Sequence, residues 1–139
     1  MSLAPTDYDF GDASNYFFAT TITCANDEAR AMYVEAYGHM LNYNHEQAIA
    51  CFTQCSELDP TCAMAYWGVA YCLSSSYNWA PGLGSGYDSI QLALANIDGC
   101  NELEIDLIEA LSLRHTKEAR DQMDPTVLNM GNTPELNAA

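Results

Sequence analysis

The spacing of hydrophobic positions predicts two short amphipathic helices in succession, over residues 46–58 and 62–73. In the first, Ala48, Phe52 and Cys55 stand at i, i+4 and i+7, which places them on one helix face. The second begins almost at once and alternates small with large apolar residues, so two helices can approach closely. The residues on its buried side are Ala63, Tyr66, Trp67, Ala70 and Leu73.

The same pattern predicts one helix before this pair and two after it. Asn26 or Asp27 caps the earlier helix, which runs to about Asn42 and carries apolar residues along one side. The later helices span residues 88–97 and 101–115. Together these elements predict an all-α fold.

Three segments lack a helical pattern. Residues 1–24 include a β-prone run but no second strand candidate, so we expect an extended arm whose aromatic side chains lie against the first helices. Residues 74–87 are rich in Ser and Gly and predict a long loop, a kind of segment that is usually functional or mobile. Residues 117–139 are a polar tail or the start of a further helix.

Charge narrows the classes of partner. The chain has 139 residues, with 4 Lys and Arg against 19 Asp and Glu, and a net charge of −15. Nucleic-acid binding requires cations that neutralise phosphates, and this chain has few, so we exclude that class of partner. We also exclude membrane insertion, because no apolar run is long enough to span a bilayer. A protein or peptide partner should be apolar or basic; a solubilising surface or a salt-adapted source is the alternative explanation of the charge.

Six cysteines are numerous for this length, but their spacing forms no C-x-x-C zinc pair. Most occupy small-residue positions on apolar helix faces, where a free Cys packs like a slightly larger Ala. We therefore expect reduced thiols in a reducing, cytoplasmic compartment, and disulfides are the alternative. The cysteines are Cys24, Cys51, Cys55, Cys62, Cys72 and Cys100.

The spacing of small and aromatic residues before Pro60 resembles the pattern of the tetratricopeptide repeat (TPR) family. The unit of that family is a 34-residue helical hairpin that ends near a proline. Ala48, Phe52 and Pro60 match directly, whereas Cys55 and Ala36 stand where Ala and Gly are usual. The further positions that the resemblance assigns are His45, Tyr66 and Ala70.

The resemblance implies a right-handed superhelix of about two and a half hairpins over residues 25–116. The hairpins are residues 25–60, residues 61–98 with the long loop, and the start of a third at 99–116. The motifs NHEQA and LDPTCAMAYWG also resemble the N-terminal region of long TPR-containing proteins, in which Gly-Pro-Asn often stands where this chain has three serines at 74–76. Because the third hairpin has no convincing second helix, we expect a fragment or a subunit whose open end a partner covers.

The resemblance implies a non-enzymatic protein-interaction scaffold. Tyr66 is then expected in the core, and the inner face should contain no Lys or Arg beyond Arg30. A segment of the long loop, Tyr77, Asn78 and Trp79, is a second candidate contact. Alternatively, these aromatic residues pack against the N-terminal arm or against repeats missing from this fragment. The alternative functions are the non-catalytic N-terminal part of a larger enzyme or metal-binding protein, or a structural subunit of a large assembly. The predicted binding face consists of Tyr33, Tyr37, Met40, Trp67 and Tyr71.

His39, His45, Cys51 and Cys55 suggest a metal site. Cys51 and Cys55 stand at i and i+4, a spacing that can present two thiolates to zinc. Cys55 is also a core position, however, and His45 takes a repeat position usually filled by an aromatic residue. Packing is the preferred interpretation, so we predict no metal, no cofactor and no catalytic residue.

Overall fold

A computed structural model describes residues 17–74 and 84–123, and every structural statement below concerns these two ranges. Within them the chain is helical and contains no strand, which confirms the predicted all-α class. Tyr77, Asn78 and Trp79 lie outside the described residues. The helices are α1 (Phe17–Thr20), α2 (Asp27–Leu41), α3 (His45–Leu58), α4 (Ala63–Leu73), α5 (Tyr87–Ala95), α6 (Glu102–Ser112) and α7 (Lys117–Asp121), with a 3-10 turn at Ile97–Gly99 between α5 and α6.

Side chains cap several helices as their sequence positions suggest. Asn26 caps α2, its side-chain oxygen accepting from the amide of Ala29 at 2.8 Å. Asn101 caps α6 in the same way, with 2.9 Å to the amide of Glu104. These bonds satisfy amides that have no partner inside the helix, so the helix starts are locally encoded.

Three residues join α2 to α3 in a tight turn. Tyr43 takes a left-handed conformation with φ of 62°, and its side chain is exposed. The carbonyl of His39 accepts from the amides of Asn42 at 3.2 Å and Asn44 at 2.9 Å, which satisfies the end of α2. The short connection makes α2 and α3 neighbours.

The core forms by sequential packing: α2 packs on α3, α3 on α4, and α4 on both α5 and α6. Phe52 of α3 lies at its centre, with its ring edge against Tyr33 of α2 at 5.2 Å between centroids. Ala48, Cys55 and Ala70 are also fully buried. Small side chains at these positions allow the helices to approach closely.

The described part of the N-terminal arm differs from the prediction. Phe17–Thr20 forms one helical turn where we expected an extended chain. The ring of Phe18 lies 5.6 Å from that of Tyr37, so packing against α2 decides the local conformation rather than the β-prone composition. No described helix is long and apolar enough to cross a membrane.

Candidate functional site

The structure divides the five residues of the predicted binding face between core and surface. Tyr33 is fully buried, and Met40 and Trp67 are nearly so. Tyr37 is half-buried, whereas Tyr71 is 42% exposed. Of this set, Tyr71 therefore presents the largest exposed fraction to a ligand.

Tyr33 belongs to the core because its side of α2 faces α3. Its ring contacts Phe52 and stacks on Tyr37 at 6.3 Å between centroids. Burial raises the pKa of its phenol well above the ordinary value. Tyr33 is thus part of the packing between helices rather than of a ligand surface.

Tyr66 and Trp67 exchange the roles that we expected. Tyr66 is half-buried, and its hydroxyl donates to the carbonyl of Pro60 at 2.9 Å, near the surface. Trp67 is only 7% exposed. Because neighbouring helix positions point about 100° apart, only one of the two can face the interior between α4 and α6.

Trp67 nevertheless forms one wall of a groove between α4 and α6, called here the α4–α6 groove. Its ring stacks on that of Tyr71, with 5.2 Å between centroids and 28° between planes. The groove has a volume of about 200 Å³, and Arg114 is among its lining residues, in contrast to the expected absence of cations. Its lining residues are Trp67, Tyr71, Leu107, Ala110, Leu111 and Arg114.

The four residues considered for a metal site do not converge. Cys51 lies with His39 and Glu35, and one ligand atom of each is within 4.8 Å of the others. Cys55 points elsewhere, toward the start of α2, and His45 begins α3. The helix spacing of Cys51 and Cys55 is real, but different neighbours surround the two thiols.

A buried histidine that the sequence did not single out lies beside the C-terminal end of α4. The amide of Gly86 donates to Nδ1 of His115 at 3.3 Å, so Nδ1 is an acceptor and the ring proton is on Nε2. Nε2 lies 2.6 Å from Oγ of Ser74, which in turn donates to the carbonyl of Ala70 at 2.9 Å. In this tautomer Nε2 cannot take the serine proton, so the pair joins three chain segments rather than activating a nucleophile.

Comparison of the chain with protein families, characterised proteins and solved structures gave no match.

Proposed function

We propose that the chain is a helical-repeat scaffold that binds a segment of another protein in the α4–α6 groove. The observation that carries this proposal is the exposed, stacked Tyr71 beside Trp67 in an apolar groove. Tyr and Trp side chains supply large contact areas with little loss of conformational freedom, and they are frequent anchors in protein interfaces.

The order of packing supports a repeat arrangement. Each long helix packs on its successor, and α2 and α3 form a hairpin with a three-residue turn. The positions that the TPR pattern assigns to small or aromatic core residues, among them Ala48, Phe52 and Ala70, are fully buried. Stacked hairpins of this kind present elongated surfaces to other chains.

Charge indicates the chemistry of the bound segment. The net charge of −15 favours association with a basic segment, and the groove itself favours apolar side chains. Arg114 lines the groove, so we expect the basic residues of the segment to lie away from it. The proposed occupant is an amphipathic partner helix with an apolar stripe and a lysine-rich polar face.

The test uses two fluorescent peptides of equal length, one helical Leu/Lys amphipath and one Leu/Glu counterpart. Anisotropy titrations with the full chain should show binding of the Lys peptide only. Tyr71→Asn should weaken that binding roughly tenfold or more, because it removes the exposed anchor of the groove.

Tyr43→Asn is the matched control, since Tyr43 is also an exposed tyrosine but lines a different hollow, beside the start of α3. Neither substitution changes the charge of the chain. Equal affinity for both peptides, or equal weakening by both substitutions, would show that peptide binding does not depend on the α4–α6 groove. Either result would refute the proposal.

A further inference from the structure

Two cysteine thiols and a buried carboxylate meet at the junction of α2, α3 and α4, and a third thiol lies beside them. Cys24 precedes α2, Asp59 ends α3 and Cys62 caps α4, and one ligand atom of each lies within 4.8 Å of the others. The thiol of Cys55, in α3, donates to the carbonyl of Ala29 at 3.2 Å, at the start of α2 and beside this group. Cys55, Cys62 and Asp59 are buried, whereas Cys24 is partly exposed and leaves the cluster accessible from solvent.

Neighbouring groups hold the carboxylate of Asp59 rigidly. Thr61 donates to Oδ1 through its amide at 3.0 Å and its hydroxyl at 2.6 Å, and the amide of Ala25 donates to Oδ2 at 2.7 Å. Burial by itself raises the pKa of this carboxyl, but the hydrogen bonds outweigh burial and lower it. Asp59 is therefore ionised at neutral pH, and its orientation is set before any ligand arrives.

A second buried carboxylate lies near this cluster. Glu104 is 1% exposed, and its Oε1 accepts from the amide and hydroxyl of Thr23 at 3.1 Å and 2.8 Å. Its Oε2 and the hydroxyl of Tyr33 are both buried and have no hydrogen-bond partner among the described residues. Thr23, the partner of Glu104, immediately precedes Cys24, so Glu104 lies beside the cluster. Such an interior favours a cation.

We propose that Cys24, Cys62 and Asp59 bind a thiophilic divalent cation of the Zn²⁺ class, and that the neighbouring Cys55 thiol turns from the carbonyl of Ala29 to become the fourth ligand. Zinc takes four ligands in tetrahedral geometry from thiolate, imidazole and carboxylate groups, and a set without water is typical of structural sites. Sulfur ligands select against Mg²⁺ and Ca²⁺, which prefer oxygen. The cation would link the start of α2 to the α3–α4 junction.

Binding requires the thiols to release their protons to solvent. The partly exposed Cys24 gives these protons, and the incoming cation, a route between the cluster and solvent.

The group of Glu35, His39 and Cys51 is the competing candidate. Its ligand atoms are also within 4.8 Å of one another, but it offers only one thiol, and Nε2 of His39 lies 4.0 Å from the Glu35 carboxylate. The cluster around Cys62 offers two thiols and a preoriented carboxylate, with the thiol of Cys55 beside them. A soft cation should prefer that cluster.

The test titrates the full, reduced, chelator-treated chain with Co²⁺ alone, whose visible absorption reports tetrahedral thiolate coordination, and then displaces it with Zn²⁺. We expect one equivalent of Co²⁺ to bind per chain. Cys24→Ser should reduce the affinity for Co²⁺ at least about 100-fold while leaving the core intact. Cys62→Ser should reduce that affinity by a similar factor. Zn²⁺ should raise the Tm of the wild type but not of Cys24→Ser.

Cys51→Ser is the matched control, because it removes the only thiol of the competing group. Unchanged Co²⁺ binding in that variant, with loss in Cys24→Ser, supports the proposal. Loss in Cys51→Ser with retention in Cys24→Ser would assign the metal to Glu35, His39 and Cys51 and overturn it. Absence of a thiolate–Co²⁺ spectrum in the wild type would overturn it as well.

Discussion

The ring of Phe52 in α3 lies directly against Gly68 in α4. A Cβ atom placed on Gly68 would come within 2.5 Å of Cε1 of Phe52, well inside van der Waals contact. Phe52 also packs edge-on against Tyr33, so its ring cannot move away without disturbing α2. The absence of a side chain at Gly68 therefore sets the distance between α3 and α4.

Gly68→Ala should destabilise the protein by about 1–3 kcal/mol, because the added methyl overpacks the core. The effect should outweigh the better helix propensity of alanine. Urea unfolding followed by circular dichroism measures it. Gly99→Ala is the control, since a Cβ there meets no atom within 4 Å, and it should change stability little. A neutral Gly68→Ala would show that Phe52 relaxes easily.

Thr23 and Glu104 are 81 residues apart in sequence, and their contact ties the segment before α2 to α6. Thr23→Val should cost about 1 kcal/mol by removing the hydroxyl donor to a buried carboxylate. A double-mutant cycle with Glu104→Gln measures the coupling in urea unfolding. Thr21→Val is the control, because its hydroxyl donates within its own turn. Full additivity of Thr23→Val and Glu104→Gln would contradict the contact.

The imidazole pKa of His115 should lie below the ordinary value for histidine. Burial lowers the pKa of its imidazole, and the adjacent Arg114 lowers it further. Protonation would also place a proton on Nδ1 facing the amide of Gly86. Since the folded pKa lies below the unfolded value of about 6.5, the stability from this residue is present above pH 6.5 and is lost as pH falls toward the folded pKa.

An NMR titration of the imidazole protons checks this shift, with the chain in denaturing urea as the reference. His115→Gln identifies the resonance by its disappearance. A native midpoint at or above that of the denatured chain would contradict the hydrogen-bond arrangement around Ser74 and Gly86.

The six thiols should differ in reactivity toward an alkylating reagent. Burial raises the pKa of Cys51 and Cys72 to about 12, and both are fully or almost fully covered. Cys24 and Cys100 are partly exposed, with their pKa raised by burial to about 11. We expect Cys24 and Cys100 to react first and the covered thiols only on unfolding.

Mass spectrometry of peptides after timed alkylation checks this order. Zn²⁺ should slow the modification of Cys24 but not of Cys100, which serves as the internal control. Alkylation of native Cys72 as fast as Cys24 would contradict the burial of α4.

Several features of the fold follow from the sequence because their causes are local. The apolar spacing of Ala48, Phe52 and Cys55 predicts α3, and a cap at Asn26 or Asp27 predicts the start of α2; both agree with the structure within about a residue. Helix periodicity and capping depend on residues a few positions apart. The number of repeats and their superhelical arrangement remain predictions.

The division between core and surface required tertiary packing. Tyr66 and Trp67 are adjacent and both aromatic, and the way α6 packs on α4 places Trp67 inside and leaves Tyr66 near the surface. Likewise, Phe18 packs on Tyr37 and overrides the β-prone composition of its segment. Local preference is weak compared with the free energy of burying an aromatic ring.

The sequence by itself determined an all-α chain, a strongly acidic surface and six cysteines without a recognisable zinc spacing. The tertiary structure decided which of those thiols meet, since Cys24, Asp59 and Cys62 come from three segments that only helix packing brings together. The same packing gave Cys51 and Cys55, one helical turn apart in α3, different neighbours. Convergence of distant side chains depends on how helices dock, and no local pattern encodes that geometry.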